Sequence, residues 1–203
     1  GGNMFDSGIT ASNLIEQIKD EADIALPVSD ETYISWLNAL EQLLYTEVIQ
    51  EQGKIEIDGV GDKVINISAL AVPDGENAVR FEDIYAVYCD TTQLIKSTVA
   101  SGVIFPNTYY KTENNLGLNL TDTPETIKII YFVKPKLKTP ENISSERVRL
   151  PVEFIDLAKA KLRGEAYKMV NEGDIAAMWL NDYNILLETF KAWIAEKRPS
   201  FGL

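Results

Sequence analysis

"VIQEQGKIEIDG", residues 48–59, is where the chain changes its period. Before it, apolar residues recur at helical spacing. From Gly53 onward "KIEIDG" alternates polar and apolar, the two-residue period of a strand with one wet face. The helical period returns late in the chain, and most plainly at "VNEGDIAAMWLNDYNILLETFKAW", residues 170–193. A chain that begins helical, turns to β and ends helical is expected to be α+β.

Working back from Gly53, Thr10 is the expected N-cap of a first helix carrying Leu14, Ile15, Ile18 and Ala22 at helical spacing. Pro27 in "ALPVSDET" breaks it. Ser29 is the expected cap of a second helix, with Asp30 and Glu31 in the first turn, where carboxylates favour the helix dipole. Tyr33, Leu37, Leu40, Leu44 and Val48 mark its buried stripe, which Trp36 and Leu43 widen, and it runs toward a stop near Gly53.

Working forward, "KIEIDG", "KVINIS", "AVRFEDIYAVYCD", "QLIKST", "NTYYKT", "NLGLNL" and "TIKIIYFVKPK" are rich in β-branched and aromatic residues, with Gly, Asn, Asp and Pro between them. About six strands are expected, arranged as an antiparallel sandwich or barrel. "NLGLNL" and "KIEI" carry a one-face-wet alternation. "IKIIYFV" is nearly all apolar, which predicts a central strand buried on both faces.

"KPKLKTPENISSERVRLP" closes the β region as a polar linker. Leu150 and Pro151 introduce a third helix with a stripe at Ile155, Ala158, Leu162, Ala166 and Met169. Gly173 is then the expected left-handed stop and Asp174 the next cap. The last helix, to about Lys197, carries Trp179, Tyr183, Leu186, Phe190 and Trp193 at alternating spacings of four and three. This face suits a core, a subunit interface or a ligand groove. The expected organisation is N-terminal helices over 1–52, an inserted β domain over 53–138, a linker over 139–150, a helical hairpin over 151–197 and a tail over 198–203. The terminal helices are expected to form one helical bundle around the antiparallel β insertion.

Composition narrows the chemistry. The chain has 203 residues, enough for one good-sized core or two small ones, and no stretch approaches the roughly 20 apolar residues of a membrane span. The start, "GGNMFDSGIT", lacks the basic and apolar regions of a signal peptide. A net charge of −12, from 31 acidic and 19 basic residues, argues against a DNA-gripping surface. With no histidine, Ser-His-Asp and Cys-His catalysis and imidazole metal sites are closed off; the single cysteine, Cys89, rules out an intrachain disulfide. A buried, inert thiol is the expectation for Cys89.

No catalytic, cofactor-binding or metal-ligating residue is expected. The glycines of "DGVGDK" lack the third glycine of a dinucleotide fingerprint, since position 64 is Val64, and the stretch reads as a hairpin turn. Carboxylates on the last two helices, Glu165 with Glu172 or Asp182 with Glu188, would suit a paired-carboxylate site, yet read first as solvated charge. Two places suit partner binding. Tyr109 and Tyr110 in "PNTYYKTENN" are adjacent on a strand, so one should be core and the other outward. The tail joins Arg198 to Pro199, Phe201 and Leu203, a peptide arm able to dock on a partner.

Together, "IKIIYFVKPK", "LPVEFIDLAKAKLRGEAYKMVNEGD" and "WLNDYNILLETFK" resemble the head–tail connector (adaptor) proteins of tailed bacteriophages. That family has an Ile/Tyr-rich strand ending in Pro, a polar linker, a Leu-Pro-led helix, a Gly-Asp turn and a last helix with a central Tyr. Tyr131, Pro135, Leu150, Pro151, Gly173, Asp174 and Tyr183 stand at those places here. The resemblance covers the last third of the chain best. It implies a virion protein of a phage or prophage, without catalysis or cofactor, forming a ring beneath the portal through which DNA passes. Its partners would be portal and tail proteins and neighbouring copies of itself, not a membrane or a specific DNA sequence. Its places would be the virion neck and, during assembly, the host cytoplasm. The C-terminal arm would dock on the portal.

Two rival readings stand beside it. A small-ligand or glycan binding module would use the β domain and show one concave aromatic site. A carboxylate-based hydrolase would show two carboxylates converging in a cleft, one with a raised pKa.

Overall fold

The computed structural model describes residues 4–59, 64–98 and 105–198. The class is α+β. The chain divides into two compact units, one of Gly1–Ile49 with Pro135–Leu203 and the other of Gln50–Lys134.

In the first unit, α1 (Ala11–Asp20) starts where expected, because the Thr10 side chain accepts from the Asn13 amide at 3.2 Å. α2 (Asp30–Leu44) starts on Ser29, which accepts from the Thr32 amide at 3.2 Å. The α-helix ends earlier than the expected stop near Gly53. A single wide turn, Tyr45–Ile49, follows α2, and Gln50 then takes a left-handed φ of 50° that ends the helical run.

The segment after the β region packs closely on these helices. Asn38 brackets the backbone of Lys138, donating to its carbonyl at 2.9 Å and accepting from its amide at 2.8 Å; the Gln42 amide donates to the Pro135 carbonyl at 3.0 Å. The first-turn amides of α1, which a helix leaves without internal partners, donate from Ala11 to Glu146 and from Ser12 to Ile143, both at 2.9 Å. Val148 and Leu150 are fully buried.

A short 3₁₀ turn, Val152–Phe154, follows Pro151 and leads into α3 (Ile155–Met169), and α4 (Gly173–Lys197) completes the hairpin. The turn between them corrects the expectation for Gly173. Asn171 is the left-handed residue, with φ of 60°; Glu172 N–H reaches back to the Tyr167 carbonyl at 3.0 Å and Asn171 N–H to that of Lys168 at 3.3 Å. That is the paired bonding of a Schellman stop, which asparagine tolerates after glycine best. Gly173 becomes the first residue of α4, so Asp174 lies inside the first turn and is not the cap. Gly164 lets the helices approach, since a Cβ there would meet the Leu180 side chain at 2.5 Å.

The second unit holds β1 (Gln52–Asp58), β2 (Val64–Ile65), β3 (Ile84–Cys89), β4 (Thr92–Gln93), β5 (Ile95–Lys96), β6 (Thr108–Thr112), β7 (Asn115–Asn119) and β8 (Thr126–Phe132). They form two open four-stranded sheets, ordered β1-β8-β3-β4 and β2-β7-β6-β5. All described pairs are antiparallel except β5 with β6. Among the described residues neither sheet closes into a barrel, because each keeps two distinct edge strands.

β8 is central, as expected, but it is fully buried on one face only. Ile127, Ile129 and Tyr131 point inward, with Ile129 between Ile55 and Val87; Lys128, Ile130 and Phe132 are half-buried. Lys128 is the reason, since its ammonium must stay wet while its neighbours share that face. "KVINIS" forms strand only at Val64–Ile65 among the described residues, because Asn66 and Ser68 bond each other at 2.8 Å and the chain turns over Ile67–Ala69. β7 loses its wet face too. Tyr110 covers Gly117, where a Cβ would fall 2.4 Å from the ring.

Candidate functional site

Helix α4 carries two apolar stripes. The inner one is core: Ala176, Tyr183, Phe190 and Ile194 are buried, and the Phe190 ring lies 4.9 Å from that of Phe154. The outer one keeps its water. Met178 and Ile185, two turns apart, are 53% and 60% exposed, and Trp179 and Leu186 beside them are half-buried. The aromatic spacing of four and three therefore straddles core and surface: Tyr183 and Phe190 face inward, whereas Trp179, Leu186 and Trp193 lie at its edge.

The outer stripe forms one wall of a groove of about 460 Å³. Asp156, Lys159, Ala160 and Arg163 of α3 make the opposite wall, facing Trp179, Asp182, Ile185 and Leu186. A smaller hollow of about 180 Å³ adjoins it, sharing Arg163 and Trp179 and reaching Ile24 and Met178.

Charge is distributed unevenly along this groove. The Arg163 guanidinium lies over the Trp179 ring at 4.8 Å and pairs with Glu21, the C-cap of α1. Lys159 reaches the same carboxylate at 3.6 Å. Burial lowers the Arg163 pKa from its ordinary value, yet a guanidinium stays charged at any working pH. Both cations share the one Glu21 carboxylate, which offsets one of their two charges. Asp23, Asp156 and Asp182 have no ion-pair or hydrogen-bond partner among the described residues.

The residues singled out in the sequence fall as follows. Tyr109 is 4% exposed and packs on Phe81 with ring centres 6.1 Å apart, and burial pushes its hydroxyl pKa up. Tyr110 is half-buried on the other face of β6, over Gly117. Arg198 donates to the Val48 carbonyl at 3.0 Å. Pro199, Phe201 and Leu203 lie outside the described residues, as do positions 60–63 of "DGVGDK". Glu165 pairs with Lys161 at 3.2 Å and Glu188 with Lys191 at 3.0 Å. Of the four carboxylates considered for paired chemistry, only Asp182 lines the groove. Cys89 is buried and its thiol is pushed up by burial.

Two features escaped the sequence reading. Asp156, Lys159 and Arg163 sit three, four and seven residues apart on α3, a wet-face spacing that gives no hint of a groove until α4 is placed. Glu41 stands between Leu37 and Leu44 on the buried stripe of α2, a visible anomaly; the ammonium of Lys138 meets it in the core.

Among the described residues, no group of three or more Cys, Asp or Glu side chains is placed to hold a metal ion. No described helix is long and apolar enough to cross a membrane. No protein-family model matches the chain, and no curated protein sequence matches it.

Proposed function

We propose that the chain is a structural virion-assembly protein of a phage or prophage, a head–tail connector (adaptor) ring subunit that docks on the portal. On this reading the terminal helices act as a bundle and the two sheets as a sandwich-like insertion. The protein works through its surfaces, in the virion neck and, during assembly, in the host cytoplasm.

The observation that supports it best is the outer stripe of α4. A helix that already buries Tyr183 and Phe190 gains nothing for its own core by holding Met178 and Ile185 in water. Such a stripe suits contact with a different protein, as a subunit that docks on a portal requires. The acid excess fits a ring around DNA, since carboxylates facing a channel repel phosphates and let the duplex slide.

The test is co-sedimentation of the full chain with a portal ring from the same genome, beside a version ending at Glu196. The expected result is binding by the full chain and loss in the shortened one. Absence of binding by both overturns the connector reading and turns attention to a ligand-binding module.

A further inference from the structure

We propose that the groove along the α3–α4 hairpin seats a cationic amphipathic helix of a partner protein. This rests on the reading of the hairpin as a protein-contact surface and names the chemistry of what it contacts.

Shape comes first. The lining positions are 156, 159, 160 and 163 on α3 and 179, 182, 185 and 186 on α4. These are facing sides of two helices that run antiparallel, as the Phe154–Phe190 contact at one end and the close approach of Leu180 to Gly164 further along require. Each wall runs from position 156 to 163 or from 179 to 186, about 10 Å, and the Arg163 guanidinium over the Trp179 ring joins the two walls at one end, beyond which lies the hollow at Ile24 and Met178. A trough between two helices is the seat a third helix fills, its side chains entering the space between theirs. Met178 and Ile185 are seven residues apart, so a partner with apolar residues at i, i+3, i+4 and i+7 meets both.

Charge then selects among partners. Lys159 and Arg163 share Glu21, and Asp23, Asp156 and Asp182 stand on the rim, so the groove and its adjoining hollow are lined by four carboxylates against two cations. A second copy of this chain, at net charge −12, brings more negative charge to that rim. A helix bearing Lys or Arg beside its apolar stripe complements it.

The test uses two fluorescein-labelled synthetic helical peptides with the same leucine pattern at i, i+3, i+4 and i+7, one filled with lysine and one with glutamate. Anisotropy is followed as the full chain is added. The lysine peptide is expected to bind and the glutamate peptide not to. Ile185→Glu is expected to weaken binding about tenfold, although it adds negative charge, because it removes the apolar seat. The double variant Asp156→Asn, Asp182→Asn is expected to weaken binding and flatten its salt dependence. Ile185 and both aspartates are exposed, and thermal unfolding of each variant verifies that it folds. Three results would overturn the proposal: no binding of the lysine peptide by the folded chain, binding unchanged or tightened by Ile185→Glu, or self-association in sedimentation that Ile185→Glu abolishes. The assay contains no portal, so its failure is separate from failure of the co-sedimentation test.

Discussion

Glu41 of α2 and Lys138, 97 residues apart in sequence, form an ion pair in which each side chain is 1% exposed. Burial pushes the Glu41 carboxyl up and the Lys138 ammonium down, which is the sign of a pair whose desolvation outweighs its attraction. Both signs say that ionising these groups inside the fold is costly. Removing one partner strands the other, so Lys138→Met or Glu41→Leu alone is expected to cost about 3–5 kcal/mol. Replacing both, Glu41→Leu with Lys138→Met, is expected to cost less than the two single changes summed, although the Arg149 backbone N–H loses Glu41 as its acceptor. Urea unfolding of the two single variants and the double variant measures the coupling; equal costs that simply add would refute it.

Gly164 and Gly173 are expected to answer alanine in opposite directions. At Gly164 the new methyl meets Leu180 side-chain atoms at 2.5 and 2.6 Å and its backbone nitrogen at 3.3 Å, so Gly164→Ala forces α3 and α4 apart. A loss of about 1–3 kcal/mol is expected, as for other overpacked cores. At Gly173 nothing lies within 4 Å and φ is not left-handed, so Gly173→Ala is expected to gain about 0.4–1 kcal/mol by restricting the unfolded chain. Thermal unfolding of the pair reads both signs in one experiment.

This contrast also marks where the sequence was legible. Thr10 and Ser29 were readable as caps because each bonds an amide three residues away, a local event. The change of period at Gly53 was readable because strand and helix spacings differ over a few residues. The stop expected at Gly173 lies two residues beyond the left-handed Asn171, since glycine is the commoner left-handed residue and asparagine tolerates that φ as well. Tyr110 over Gly117, the Glu41–Lys138 pair and the groove all join residues on separate elements, and spacing along one element cannot show them. Which side of α4 stays wet depends on where Gly164 lets α3 approach.

Asn171→Gly is expected to hold or raise stability, because glycine takes φ of 60° without a Cβ penalty. Asn171→Val is expected to cost roughly 1–2 kcal/mol, since a branched side chain crowds the following carbonyl in that conformation. A Val variant as stable as the parent would show that the turn is not left-handed at this position.

Tyr131 makes the stability of the β unit depend on alkali. Its hydroxyl donates to Glu76 at 2.9 Å from a side chain 2% exposed. Burial, then the nearby Glu76 charge and the hydrogen bond to it, holds its pKa far above the ordinary 10.0. A group whose folded pKa is raised stabilises fully below its unfolded pKa and loses that contribution as pH rises through the folded one. Stability from Tyr131 should therefore be intact up to about pH 10 and fall steadily above it. Tyr131→Phe removes the titrating proton and a hydrogen bond to a charged group, costing about 1.5–3 kcal/mol at neutral pH. Because the variant has nothing to ionise there, its disadvantage should shrink as the solution becomes more alkaline. Urea unfolding of parent and variant at pH 7, 9 and 11 tests this, and a gap that stays constant across the series would show that Tyr131 ionises alike in the folded and unfolded chain.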